Sequence, residues 1–335
     1  MNMSSTPPSQ TLAQPARRWR DFAVLGGLLG LVLIGLVGLA AATGWQETKS
    51  QLARLGGLQF AVLLGLSVVN YLLRGLRWHL FTRRLGLQTG LLQDLRHFLG
   101  GFAMSVTPGR VGELVRMRWL SRETGWPVER TAPLALMDRA LDLAAMALIL
   151  GVAVALSATG INGAVPVSLA ALGLAVLATR SRLLMASVTG AYKTFGRWPR
   201  IFARGRGAAR SLRRFSDLRL MVPALVLGAL GWLAEGYAFY LLLNWMGAGV
   251  APSLAVAIFV FSTLAGGLTG APGGVGGAEA AMVALLSLEG VPLEISLPAT
   301  AVIRVTTLWF AIAVGLVVFP LAERHSLRVK NALEN

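Results

Sequence analysis

Ionisable side chains set inside apolar sequence are the chemistry this chain offers. Arg110, Glu113 and Arg116 follow at three-residue spacing, within reach of one another along a helix face. Asp138, Arg139 and Asp142 cluster within about one helical turn, and Glu235, Glu279 and Arg304 fall in or beside later apolar segments. On insertion scales each such charge costs on the order of 2.5–3.5 kcal/mol, so each needs a partner or a task. Guanidinium matches phosphate oxygens in bidentate fashion, which gives the arginines to a lipid phosphate. The glutamates then hold those arginines, receive a cationic headgroup or carry a proton. The competing explanation is structural: ion pairs that lock the two halves of the protein together.

Two Pro-Gly breaks accompany these charges. Pro108, Gly109 and Gly112 mark the first, and Pro272, Gly273, Gly274 and Gly276 the second. Glycines permit backbone turns at membrane depth and bring helices or a ligand close. Irregular backbone is tolerated there only where it is buried or lines a wet cavity. The helix that starts after each break is expected to aim its N-terminal N–H groups at that cavity, favouring an anion. Other chemistries lack their signatures. Neither glycine-rich break continues into Gly-Lys-Ser/Thr, so no Walker A phosphate loop is present. The sequence has no cysteine, and His79, His97 and His325 form no metal-ligand pair. No cofactor or metal is expected, and the histidines read as interfacial. Trp19, Trp45, Trp78, Trp119 and Trp126 stand at the ends of apolar runs, as membrane-interface anchors do.

The elements that position these residues follow from composition. Of 335 residues 55% are hydrophobic and only 14% charged, against about 25% charged in soluble domains. Mean hydropathy is +0.64. So few charges cannot cover a soluble globule of this size, and the chain reads as a polytopic membrane protein. Its net charge of +16 would indicate nucleic acid in a soluble chain. Here the basic residues sit in short stretches between apolar runs, as the positive-inside rule requires, and no nucleic-acid partner is expected. Apolar runs at residues 22–42, 58–73, 133–156, 162–179, 220–246 and 297–321 are the full crossings. Arg74, Arg77, Arg83, Arg84 and Arg96 follow the second run, and eleven basic residues fall between Arg180 and Arg219. Placing residues 74–97, 180–219 and both termini in the cytoplasm puts nearly every basic cluster on one side. The segments around Pro108 and Pro272 must then enter and leave on one side, as re-entrant hairpins.

The fold expectation is an all-α polytopic membrane protein with about six full transmembrane helices plus two re-entrant helical hairpins in an inverted repeat. In each half a break precedes a glutamate and then an arginine, 31 residues from Pro108 to Arg139 and 32 from Pro272 to Arg304. Inverted repeats with broken helices build substrate sites near the bilayer midplane. The expected division is a tail at 1–20, one transmembrane domain at 21–322 and a second tail at 323–335. Within that domain the repeats are 58–179 and 219–321, separated by a basic cytoplasmic segment at 180–218.

Three segments carry a resemblance: Asn70-Tyr71-Leu72-Leu73-Arg74-Gly75-Leu76-Arg77-Trp78, then residues 108–116 (PGRVGELVR) and residues 272–279 (PGGVGGAE). In this order they resemble the flippase-like integral membrane family, also called the lysylphosphatidylglycerol synthase transmembrane-region family. That family usually has a Glu-Arg pair with a following Asp after the first hairpin, where this chain has Asp138-Arg139 and Asp142. The resemblance implies a lipid-handling protein of a bacterial or archaeal cell membrane. The soluble aminoacyl-transferase domain of multiple peptide resistance factors is not expected, since the sequence runs only briefly past Leu321. Three functions fit: a translocator of a phosphate-bearing lipid, an accessory subunit beside an envelope-biosynthesis enzyme, or a membrane-embedded lipid-modifying enzyme. For the first, the expected site is Arg110, Glu113, Arg116, Arg139, Glu279 and Arg304, with Asp138, Asp142, Arg74 and Arg77 in support.

Overall fold

A computed structural model describes residues 55–105, 111–156, 164–179, 217–269 and 271–334, with a few isolated positions besides. The expected first span, most of the basic 180–219 segment, and Pro108, Gly109 and Arg110 lie outside the described residues.

Among the described residues the chain is helical throughout, as apolar sequence must be where no water can satisfy backbone groups. The first half contains α1 (Gly57–Leu85), α2 (Leu91–Gly100) running into a 3-10 turn (Gly101–Met104), α3 (Val111–Thr124), α4 (Val128–Leu156) and α5 (Ala164–Thr179). The second contains α6 (Leu218–Trp245), α7 (Pro252–Leu268), a 3-10 turn (Pro272–Gly274), α8 (Gly277–Leu288) and α9 (Leu293–Arg304). A π-helical turn (Val305–Trp309) joins α9 to α10 (Phe310–Glu334). Three of the described helical stretches are long and apolar enough to cross a membrane: Gly57–Leu85, Leu218–Trp245 and Leu293–Ala332. The helices on either side of the second break, α7 and α8, are apolar but shorter.

Helix ends follow local chemistry. Gly86 closes α1 in the left-handed region (φ 94°), with Arg83 and Arg84 in the last turn, where cations oppose the helix dipole. Asp217 opens α6 by accepting the Arg219 amide at 3.0 Å, the usual N-cap bond.

The packing is crosswise. Helices α1 and α6, which precede the two breaks, pack on each other as extensively as α4 does on α5. Helix α4, which follows the first break, packs on α7 beside the second. The α9–α10 rod, which follows the second break, packs through α10 on α2, its 3-10 turn and α3 around the first. The described elements flanking each break thus pack on a long helix of the opposite half. Lipid tails are as apolar as leucine, so close backbone approach must supply much of the attraction between such helices. At Gly315 of α10 a Cβ would lie 2.2 Å from the Ala103 amide nitrogen, so only glycine lets the rod reach the first 3-10 turn.

The structure corrects two expectations here. The second crossing does not end at residue 73 with Arg74 and Arg77 in the cytoplasm. Helix α1 continues to Leu85, and both arginines are buried, Arg77 completely. Trp78 and Trp119 are not interface anchors either: both are fully buried, and the Trp119 indole donates to Glu323 at 2.7 Å. Trp126 keeps a half-buried place, with Arg130 over its ring at 5.4 Å. Past residue 322 the chain stays helical in α10, with Ser326 buried.

Candidate functional site

The charges that α1 carries at mid-helix meet those of α4. Asp142 is the hub. Its carboxylate accepts from Arg74 Nη2 at 2.7 Å, Arg77 Nη2 at 2.7 Å, Arg139 Nη1 at 3.3 Å and the Trp232 indole at 3.2 Å. Arg77 also donates its Nε to Asp138 at 3.1 Å. Arg77 fits because α6 has Gly228 opposite, where a Cβ would lie 2.5 Å from the guanidinium. The pairs join α1 to α4, with α6 tied in through Trp232, and are almost wholly buried. Removing one partner from such a pair costs roughly 3–5 kcal/mol.

Arg116 of α3 is 3% exposed. Its guanidinium lies over the Phe98 ring at 4.3 Å and 3.9 Å from Asp138. A Cβ on Gly101 would come within 2.2 Å of Arg116 Nε, so the glycine at the start of the 3-10 turn makes room for that side chain.

At the second break Gly273, Gly274 and Gly276 take left-handed angles (φ 65°, 68° and 84°), which L side chains rarely adopt. The turn brings the Gly273 carbonyl to Arg304 Nη2 at 3.1 Å, while Arg304 Nε donates to Glu279. The other Glu279 oxygen accepts the Gly276 amide at 2.7 Å. This departs from expectation: the α8 N-terminus, predicted to face an anionic ligand, is capped by the protein's own carboxylate. Glu279 therefore fixes both the helix start and the arginine.

These groups surround one cavity of about 180 Å³, lined by Arg74, Arg116, Arg139 and Arg304 with Tyr71, Trp232, Glu235 and the Gly273–Gly274 turn. That volume far exceeds the ~10–15 Å³ needed to admit one water. It falls below the ~300–1,000 Å³ that enclose a drug-sized ligand, so it suits a headgroup and not a whole lipid. Five guanidiniums (those four and Arg77) stand with four carboxylates (Asp138, Asp142, Glu235 and Glu279) at or beside the cavity. Among the described side chains the site is therefore a mixed cluster in which guanidiniums, not carboxylates, form most of the charged cavity wall. The π turn after Arg304 contributes Thr307 and Leu308 to the wall, and the Tyr71 hydroxyl donates to the Thr307 carbonyl at 2.6 Å. Such turns recur at functional sites because they free backbone carbonyls from the regular helical ladder. Among the described residues no three His, Asp or Glu side chains converge as metal ligands.

Of the residues singled out from sequence, Arg116, Arg139, Arg304, Gly273 and Gly274 line the cavity, and Glu279 stands behind Arg304. Asp138, Asp142 and Arg77 form the buried layer between α1 and α4, and Arg74 reaches both that layer and the cavity. Gly276 caps α8, and Pro272 opens the second 3-10 turn. Arg110 falls outside the described residues. Gly112 and Glu113 lie on the first turn of α3, where only the backbone is described, so a Glu113–Arg139 pair finds no description here. Tyr71 and Trp232 were not singled out as site residues. Their signal was present: Ser67, Asn70, Tyr71, Arg74 and Trp78 recur at helical spacing and form one buried face of α1, the pattern of a membrane helix with its polar side turned inward.

A second charged cluster gathers where α2, α3 and α10 meet. Glu123 is contacted by Gln93, Arg96, His97 and His325. Glu323 accepts from Arg118, Trp119 and Arg122. Burial pushes the Glu123 carboxyl up, but the His97 contact, the Gln93 hydrogen bond and the Arg96 charge outweigh it and bring it down to about 2. His97 is buried in this cluster, which corrects its reading as an interfacial residue.

The chain matches the family described as the lysylphosphatidylglycerol synthase TM region over residues 23–315. A UPF0104 membrane protein of Methanothermobacter thermautotrophicus is 26% identical, with 87% of this chain and 94% of that protein covered. A second match to a UPF0104 membrane protein of the same organism is 31% identical over 33% of this chain and 32% of the relative. The ordered motifs, the helical architecture and the matched length agree: this chain is a membrane protein of the lysylphosphatidylglycerol synthase transmembrane-region family.

Proposed function

We propose that this protein binds a phosphate-bearing lipid by its headgroup and carries that headgroup across the membrane. The observation that supports the reading is the convergence of four guanidiniums on one cavity among apolar helices. Phosphate oxygens match such donors in bidentate fashion. The cavity's size accommodates the headgroup and leaves the acyl chains in the bilayer. The crosswise packing supports a coupled movement, because the helices flanking each break pack on a long helix of the other half.

In this reading the chain has six full crossings and two re-entrant hairpins arranged as inverted repeats, with both termini cytoplasmic. The orientation is supported by the charges shared between α1's last turn, the start of α6, α3 and the end of α10, where Arg84 pairs with Asp217 and Arg122 with Glu323. Cysteines placed at positions 205 and 330 of this cysteine-free chain should resist an impermeant thiol reagent applied from outside; strong external labelling reverses the topology.

The function itself is tested in two arms. Lipids that co-purify with the wild type should be enriched in one phosphate-bearing class, and Arg139→Gln should lose that enrichment. In proteoliposomes, a fluorescent analogue of the enriched class should change leaflets at least tenfold faster with wild type than with the variant. Co-purifying lipids that match the bulk membrane, together with equal transfer rates, would refute the reading.

A further inference from the structure

Among the described residues, Glu235 of α6 is the acid on the cavity wall that the ion pairs above do not account for. It is 5% exposed and lines the cavity, and it has no hydrogen bond or ion pair to a described residue. Arg74 of α1 and Arg304 of α9 stand on the same cavity wall, and Asp142 of α4 lies behind Arg74. Arg139 of α4 and the Tyr71 hydroxyl share the cavity wall. Helix α7, also packed on α6, has no titratable side chain and contributes Phe259 and Thr263.

Arg74 and Arg304 are also two of the four cavity arginines. A phosphate seated on them competes with Glu235 for the same positive charge and places a like charge close to it. The carboxylate is then better protonated than ionised. We propose that Glu235 is a proton-binding site coupled to the cavity, so that a phosphate headgroup and one proton enter together. The balance is simple: phosphate meets guanidinium, one proton moves from solvent to a Glu235 oxygen, and no covalent bond to the ligand is made. By reciprocity, binding strengthens as pH falls, by up to about tenfold per pH unit above the group's titration point. A lipid carrier so arranged draws on a proton gradient. The inference rests on the phosphate reading of the cavity and adds its coupling ion.

The test uses the full-length chain in a phosphate-free maltoside detergent. Probes are short-chain phosphatidylglycerol, its chain-free headgroup glycerophosphoglycerol, and short-chain diacylglycerol lacking phosphate. A phosphodiester holds no proton that titrates near neutrality, unlike a phosphomonoester with its second pKa near about 6. Calorimetry in two buffers of different ionisation enthalpy then counts protons taken up by the protein. Wild type should bind the phosphatidylglycerol probe with uptake approaching one proton, while Glu235→Gln should bind it without uptake and with affinity constant across pH. Binding of the chain-free headgroup with the same uptake would assign the site to a free phosphoester as well as to a lipid. Because Glu235→Gln can fail to fold, infrared difference spectra of wild type supply a second readout: the C=O stretch of a protonated acid should appear when the probe is added. Probe binding with neither uptake nor that band overturns the proton site and leaves the phosphate reading standing; so does uptake that persists in folded Glu235→Gln. Failure of both phosphate probes to bind, or equal binding of diacylglycerol, overturns both.

Discussion

Two clusters of arginines and acids occur among the described residues, and their cations face different surroundings. Around Glu123 and Glu323 the acids are at the centre and the cations surround them, with Arg118 and His325 each 47% exposed at the side chain. Around Asp142 the acids again sit inside, but the cations Arg74 and Arg139 face the cavity. In the first cluster the outer cations reach solvent and the network is a clasp between α2, α3 and α10. In the second they line a concave site, which under the proposed function receives a phosphate. The same residue types therefore do different work because of what lies beyond them.

The comparison is tested hardest at Arg77, which is wholly enclosed by Asp138 and Asp142. Arg77→Ala should cost roughly 3–5 kcal/mol, since it leaves buried carboxylates short of a partner. Thermal unfolding in detergent measures this, and a loss below about 1 kcal/mol would mean that water reaches the layer.

The clasp should respond to acid. With its folded-state value down to about 2, Glu123 contributes stability that is present above the ordinary carboxylate value near about 4.3 and is lost as pH falls toward 2. Wild type should be more stable than Glu123→Gln at pH 7 by about 1–3 kcal/mol, on the scale of a charged hydrogen bond. That advantage should shrink between about pH 4.5 and 2. A difference that stays constant through this window would place the stabilisation elsewhere.

Arg139 sharpens the contrast, because its side chain is 31% exposed. Replacing it by Gln should alter unfolding by less than about 1 kcal/mol yet weaken binding of a phosphate-bearing probe by about tenfold or more, the scale of a charge-assisted contact. Equal losses of stability and binding would make Arg139 part of the scaffold. The smallest effect belongs to the exposed Arg84–Asp217 pair, 2.9 Å apart with side chains 45% and 36% exposed. Arg84→Ala should change stability by no more than about 1 kcal/mol, and less in high salt.

Much of this was legible from residue type and spacing. Apolar runs located most of the described long helices, and the glycine-rich second break was visible beside Glu279 and Arg304. The long-range pairings were not. Arg77 meets Asp138 across 61 positions and Arg74 meets Asp142 across 68, and hydropathy takes an arginine in an apolar run as the end of that run. It therefore placed Arg74 and Arg77 in water. The anion expected at the α8 N-terminus was misjudged for a related reason: a helix start can be satisfied by a residue three positions on, and Glu279 does so. Burial of Trp119 depended on α10 crossing to the opposite half, where Phe319 and Glu323 meet it, and burial of Trp78 on Phe98 and Arg116, tertiary facts with no local signature.

The central claim is that the cavity arginines hold a phosphate. A density map of the full-length protein in lipid nanodiscs containing phosphatidylglycerol tests it most directly. A phosphate density within hydrogen-bonding distance of Arg139 and Arg304, with acyl chains leading outward from the cavity, is the predicted result. A cavity holding only water, while ordered lipid phosphates lie solely at the bilayer surface, would contradict the account.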